Sequence, residues 1–233
     1  MERSYKYYDI VMAFFITVLL VSNVASSAKI VDLKLSLFGF GLAFDAGTIL
    51  FPLSYIFGDI LTEVYGFKRS RRVIWMGFFA LALSAGVFWL VGALPGEATW
   101  QTYAGDAAYA AILGGMSSGG IVLGSLAGYL TGEFSNSVVL ARMKVWTSGR
   151  HLWMRTIGST LIGQMVDTLA FMLVATLLGV FPWSLFAMLT VTNYLFKVAI
   201  EALMTPVTYG LVNFLKKSEN EDVYDKETRF SLI

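Results

Sequence analysis

Six long apolar runs dominate this chain, at about residues 9–27, 45–64, 73–94, 113–139, 154–180 and 184–214. Each is long enough to cross ~30 Å of hydrocarbon as a helix rising ~1.5 Å per residue. Lipid offers no partners to backbone groups, so a crossing segment satisfies them internally. Runs this long and continuous suit helices better than barrel strands. Composition agrees, with 57% of residues hydrophobic and 14% charged, too little charge to cover a soluble surface. The expected fold is all-α and membrane-embedded. It comprises one six-helix transmembrane domain over residues 1–217 and a polar tail over 218–233.

Lys and Arg set the orientation. Four regions hold 14 of the 17 basic residues: Arg3 and Lys6; Lys68, Arg69, Arg71 and Arg72; Arg142, Lys144, Arg150 and Arg155; and Lys216, Lys217, Lys226 and Arg229. In a six-span chain these lie on one side, which places both termini in the cytoplasm. The other side holds Lys29 and Lys34, the loop over 96–111 holds no basic residue, and Lys197 falls inside a span. A second reading of the N-terminus stays open. Arg3, Lys6, the apolar run and Ser26-Ser27-Ala28 also have the layout of a cleavable signal peptide, whose removal leaves five spans. The absence of cysteine excludes disulfides and thiolate chemistry.

The polar residues inside the spans carry the functional signal. They are Asn23 in span 1; Asp59 and Glu63 in span 2; Glu133, Asn136 and Ser137 in span 4; Ser159, Gln164 and Asp167 in span 5; and Asn193, Lys197 and Glu201 in span 6. Asn193, Lys197 and Glu201 share one helical face, and Lys197/Glu201 and Asp59/Glu63 are i,i+4 pairs. Counted from the span ends, Asn23, Asp59, Asp167 and Lys197 reach similar middle depths, while Glu63, Glu133 and Glu201 fall closer to the cytoplasm. A charge at a helix centre costs ~2.5–3.5 kcal/mol on insertion scales, so these residues face protein or water. Two readings remain: a structural ion-pair network, which a Lys197–Glu201 pair would begin, or a water-accessible substrate chamber. Asp59, Glu63, Glu133 and Asp167 have no other cation within the membrane; protonated carboxyls or a polar, cationic substrate account for this surplus acid, and the substrate chamber is the favoured reading.

Span 3 reads as a packing or lipid-facing helix. In span 4, Gly120, Gly124, Gly128 and Gly132 recur every fourth residue and predict close approach of another helix, with a ligand passage as the functional alternative. Asp45 is adequately explained as a helix cap, and His151 as a loop histidine.

At the polar residues the chain resembles a known family. The stretch 51–66, Phe-Pro-Leu-Ser-Tyr-Ile-Phe-Gly-Asp-Ile-Leu-Thr-Glu-Val-Tyr-Gly, is similar to the signature of the queuosine precursor transporters. The similarity continues through Gly132-Glu-Phe-Ser-Asn-Ser-Val-Val-Leu-Ala141, Arg155-Thr-Ile-Gly-Ser-Thr, Gln164-Met-Val-Asp-Thr168, Asn193-Tyr-Leu-Phe-Lys197 and Glu201. The resemblance implies a bacterial inner-membrane importer of 7-cyano- or 7-aminomethyl-7-deazaguanine for transfer RNA modification. It also implies a six-helix fold similar to the substrate-binding subunits of energy-coupling factor transporters.

The chemistry suits such a base. A carboxylate can receive N1–H and an exocyclic amine through two parallel hydrogen bonds, while O6 requires a donor such as Lys197. Asp59, Glu133 and Asp167 are the acidic candidates, and Asn23, Asn136, Gln164 and Asn193 orient the base. Glu63 and Glu201 are coupling or ion-pair candidates, and Tyr55, Phe134 and Tyr194 are stacking candidates. No cofactor, metal or nucleic-acid partner is expected; the partners are a purine-like small molecule and the lipid bilayer, with a homodimer left open.

Two alternatives stand beside this reading. The chain could be the substrate-binding subunit of an ATP-driven complex, although Ala25 and Ala28 are three apart rather than four and no phosphate-binding loop is present. An intramembrane enzyme built on Ser117 and Ser118 is disfavoured because His151, the sole histidine, belongs to the opposite side.

Overall fold

A computed structural model describes residues 5–37, 40–117 and 119–232 of the chain. Arg3 and Ser118 therefore lie outside the described residues.

The chain enters through α1 (Tyr8–Ala28) and turns into an antiparallel hairpin, β1 (Ile30–Leu37) and β2 (Phe40–Asp45). A short 3-10 turn (Ala46–Ile49) leads into α2 (Phe51–Tyr65), followed by α3 (Phe67–Ala93). Two shorter helices, α4 (Ala98–Tyr103) and α5 (Gly105–Ser117), precede three long ones: α6 (Gly119–Trp146), α7 (Leu152–Leu177) and α8 (Trp183–Glu219). The stretches 8–28, 67–93, 105–146, 152–177 and 183–219 are long and apolar enough to cross a membrane.

Three expectations change. The run at 45–64 is not one continuous helix: α2 has 15 residues, about 22 Å at ~1.5 Å per residue, shorter than a ~30 Å core. Pro52 starts it late because proline is accommodated in a first turn, where its missing N–H has no helical partner. The fold is not all-α, because the segment between the first two runs is a hairpin, paired from Ile30↔Asp45 to Leu37↔Phe40. The segment over 96–111 is also largely helical, in α4 and α5.

The core gathers α1, α2 and α3, with Tyr129 of α6, Leu152 of α7 and Val212 and Leu215 of α8. Phe15, Ile56, Ile60, Leu61, Val64, Val73 and Ile74 are buried together. Many large apolar residues face outward, among them Phe79, Leu83 and Trp89 on α3, as a lipid-facing helix requires.

Both termini meet at one end. Glu219, at the end of α8, accepts hydrogen bonds from the backbone N–H groups of Lys6 and Tyr7 at 2.9 and 2.7 Å and from the Tyr65 hydroxyl at 3.0 Å. The tail beyond it lies across the same end. At the α2–α3 corner, Gly66 adopts φ 82°, a left-handed turn that suits a residue without Cβ. Asp225 then accepts from the Phe67 backbone N–H at 2.9 Å, so a tail carboxylate caps the start of α3.

Candidate functional site

The glycine stripe of α6 is built for α7. A Cβ on Gly132 would lie 3.1 Å from Asp167 Cα and 3.2 Å from Gly163 O, and one on Gly124 would lie 3.1 Å from Phe171 O. Gly163 answers from α7, since a Cβ there would lie 3.2 Å from both Asn136 Cα and Gly132 O. Small residues on both surfaces bring the two backbones together. The result places Asn136 and Glu133 of α6 beside Gln164 and Asp167 of α7.

A cavity of about 530 Å³ opens beside this seam, within the range for small-molecule sites. It reaches from the middle of the bundle towards the end opposite the termini, where Ser27, Gly115 and Phe181 line it. Asn23, Tyr55, Glu133, Asn136, Gln164 and Asp167 all contribute to its wall, and α8 adds Asn193, Lys197 and Glu201 from one face.

The polar groups are partnered in a way the sequence did not indicate. Lys197 pairs with Asp167 on the facing helix, not with Glu201, and each side chain keeps 23% of its surface accessible. Glu201 instead accepts a hydrogen bond from Thr160 through Oε1. Asp59 does not line the cavity: it stands behind Asn136 and accepts its Nδ2–H at 3.0 Å. Asn136 Oδ1, Gln164 Oε1, Glu201 Oε2 and Thr168 Oγ1 are buried without a hydrogen-bond partner, and all four residues line the cavity. Buried polar atoms are nearly always paired, so these four mark the part of the cavity wall suited to hydrogen-bond a polar ligand.

The remaining candidates lie elsewhere. Phe134 packs edge-on against Phe67, with centroids 5.6 Å apart, and Tyr194 donates its hydroxyl to Leu161 O at 3.1 Å. Neither lines the cavity, because each projects from a different face of its helix. Of the three stacking candidates, Tyr55 alone lies on the wall. Ser117 donates to Leu113 O at 3.3 Å and Gly114 O at 3.4 Å, in place of any catalytic contact.

Glu63 belongs to a second assembly, near the termini. Its fully buried carboxylate accepts from Arg155 Nε at 2.7 Å and Nη2 at 2.8 Å, and from Lys216 at 2.5 Å. Lys144, also buried, lies 3.6 Å from it and donates to Glu63 O at 2.6 Å and Val223 O at 2.7 Å. Asp222 of the tail joins Lys144 and Lys216 at 2.5 and 2.7 Å. Burial tends to raise the Asp222 carboxyl, but hydrogen bonds from the two lysines outweigh it and hold the group below its ordinary 3.8. The cations for Glu63 thus come from the ends of α6, α7 and α8, and the tail adds the Asp222 carboxylate. Arg155, Lys144 and Lys216 looked like ordinary loop charges in sequence. Thr160 and Thr168 were also missed, although Gln164/Thr168 has the spacing of a shared helical face.

Three relatives are similar over most of the chain. A Bacillus subtilis protein named "Probable queuosine precursor transporter" is 27% identical over 77% of this chain and 76% of its own length. The Escherichia coli protein named "Queuosine precursor transporter" is 26% identical over 83% of each chain. A Haemophilus influenzae protein named "Probable queuosine precursor transporter" is 24% identical over 71% of this chain and 67% of its own. No solved structure matches the chain. The family model described as "Putative vitamin uptake transporter" matches residues 45–211, which include α2 through α7 and most of α8. Together with the five long apolar helices, that match makes the chain a multi-pass membrane transporter of the bacterial inner membrane. The chain belongs to this vitamin uptake transporter family.

Proposed function

We propose that the chain imports queuosine precursors, 7-deazaguanine bases bearing a cyano or aminomethyl group, into the bacterial cytoplasm. The observation that carries the reading is the cavity, whose wall exposes Asn136 Oδ1 and Gln164 Oε1 without partners. A guanine-like edge offers N–H donors to such acceptors, and its O6 can take a hydrogen bond from Lys197. Tyr55 supplies a flat face for the ring. The names of the relatives give the same substrate class.

In this reading the chain crosses six times with both termini in the cytoplasm, α2 serving as the short second crossing. The basic residues gathered where the termini meet support that orientation. The cavity then opens towards the outside, and the Glu63 assembly closes the cytoplasmic end. Inward release requires that closure to loosen, as alternating access demands. Similarity to energy-coupling factor binding subunits remains an expectation from the sequence resemblance.

Complementation is the test. In a bacterium unable to make the base and lacking its own importer, expression of this chain restores queuosine in transfer RNA at low external base. Failure to restore it, with the protein present in the membrane, contradicts the proposal.

A further inference from the structure

The cavity wall is unbalanced in both charge and hydrogen bonding. Its acidic and basic side chains other than tyrosine are three carboxyl groups, of Glu133, Asp167 and Glu201, against one amine, that of Lys197. Lys197 is committed to Asp167, and among the described residues no ion pair reaches Glu133 or Glu201. Three of the four open polar atoms, Asn136 Oδ1, Gln164 Oε1 and Glu201 Oε2, are acceptors, the last of them while the Glu201 carboxyl is ionised. Asn136 directs its Nδ2–H at the Asp59 carboxyl, which leaves its Oδ1 on the cavity side. Glu201 is 7% exposed: Thr160 donates to its Oε1, Oε2 has no partner within hydrogen-bonding geometry, and the Gln164 side chain lies beside the carboxyl.

We propose that this site discriminates in favour of a cationic, donor-rich ligand, so that the 7-aminomethyl base is taken in preference to the neutral 7-cyano base, with Glu201 receiving the ammonium. The inference rests on the reading of the cavity as a 7-deazaguanine site. A primary ammonium brings three donors and a positive charge to a wall of acceptors. A nitrile ends in a lone pair, and against Glu201 Oε2 it leaves both acceptors unmatched. Sites built to hydrogen-bond a polar group reject analogues lacking it far more strongly than hydrophobic pockets reject a change of size.

Equilibrium titration of the purified full chain with 7-aminomethyl-, 7-hydroxymethyl- and 7-cyano-7-deazaguanine tests this. The hydroxymethyl base keeps the size of the aminomethyl arm without its charge. The aminomethyl base is expected to bind at least about tenfold more tightly than either neutral base, the scale of one charged hydrogen bond. Glu201→Gln should weaken the aminomethyl base about tenfold and the hydroxymethyl base less than about threefold. Should that variant fail to fold, the wild-type ratio alone decides. Equal affinities, or tighter binding of the cyano base, overturn the inference while leaving the substrate class intact. Loss of the preference through some other residue, with Glu201→Gln unchanged, overturns the role of Glu201. Absence of binding by all three bases overturns the substrate class and this inference with it.

Discussion

Asn136 donates its Nδ2–H to the Asp59 carboxylate at 3.0 Å, leaving Asn136 Oδ1 turned towards the cavity with no partner. Asp59 thus acts on a ligand through its neighbour. It is 2% exposed and, among the described residues, has no ion pair. Asp59→Ala should therefore weaken base binding about tenfold, since Asn136 is free to flip, a contact worth ~1.5 kcal/mol. The same change removes a buried carboxylate with no cation against it, so melting temperature should hold or rise. Binding titration and thermal unfolding in detergent measure the two halves. A loss of both stability and binding would make Asp59 merely structural.

The Glu63 assembly predicts the opposite balance. Removing one member leaves buried cations uncompensated, which costs about 3–5 kcal/mol. Glu63→Gln should lower thermal stability strongly, and base affinity measured on the surviving folded fraction should be close to wild type, because Glu63 does not line the cavity. A melting temperature unchanged within error contradicts this assignment.

The α6–α7 seam separates two kinds of glycine. A Cβ at Gly132 meets backbone on α7, so Gly132→Ala should force the helices apart and cost about 1–3 kcal/mol. Gly86 on α3 has nothing within 4 Å of its added Cβ, and Gly86→Ala should be neutral or stabilise by up to ~1 kcal/mol. Equal effects at the two positions would remove the seam as the reason for the stripe.

Docking of the tail should follow pH through Asp222. Its carboxyl is held below 3.8, so its contribution is complete above that value and is lost as pH falls through the lower, folded-state value. The tail should stay docked from about pH 8 down to about pH 4 and release only as pH falls below 3.8 through the lower folded-state value. Asp222→Asn at neutral pH should imitate the acid state. The chain has no cysteine, so labels on cysteines introduced at Trp146 and Leu232 can report the distance. Release midway through the neutral range would implicate another group.

Much of this architecture is legible in the residues, and the failures have physical causes. Hydropathy finds α1, α3, α7 and α8 because lipid imposes long apolar helices. It overestimates α2, since apolar residues ahead of Phe51 belong to a hairpin and a turn. The hairpin had its own signal, the strict alternation Val31-Asp32-Leu33-Lys34-Leu35-Ser36-Leu37, with the period of two that marks a strand. Ion pairing was the least legible feature. Spacing along one helix suggested Lys197 with Glu201, whereas the closer partner is Asp167 across the α7–α8 contact. For Glu63, the cations arrive from residues 92 and 153 positions away, which no local pattern reveals.

Uptake of labelled 7-deazaguanine bases by proteoliposomes containing only this chain is the most direct measurement. The account predicts time-dependent, saturable accumulation without ATP, competed by unlabelled base and reduced by substitutions at Glu201 and Asn136. Folded protein that neither binds nor accumulates any of these bases would contradict it.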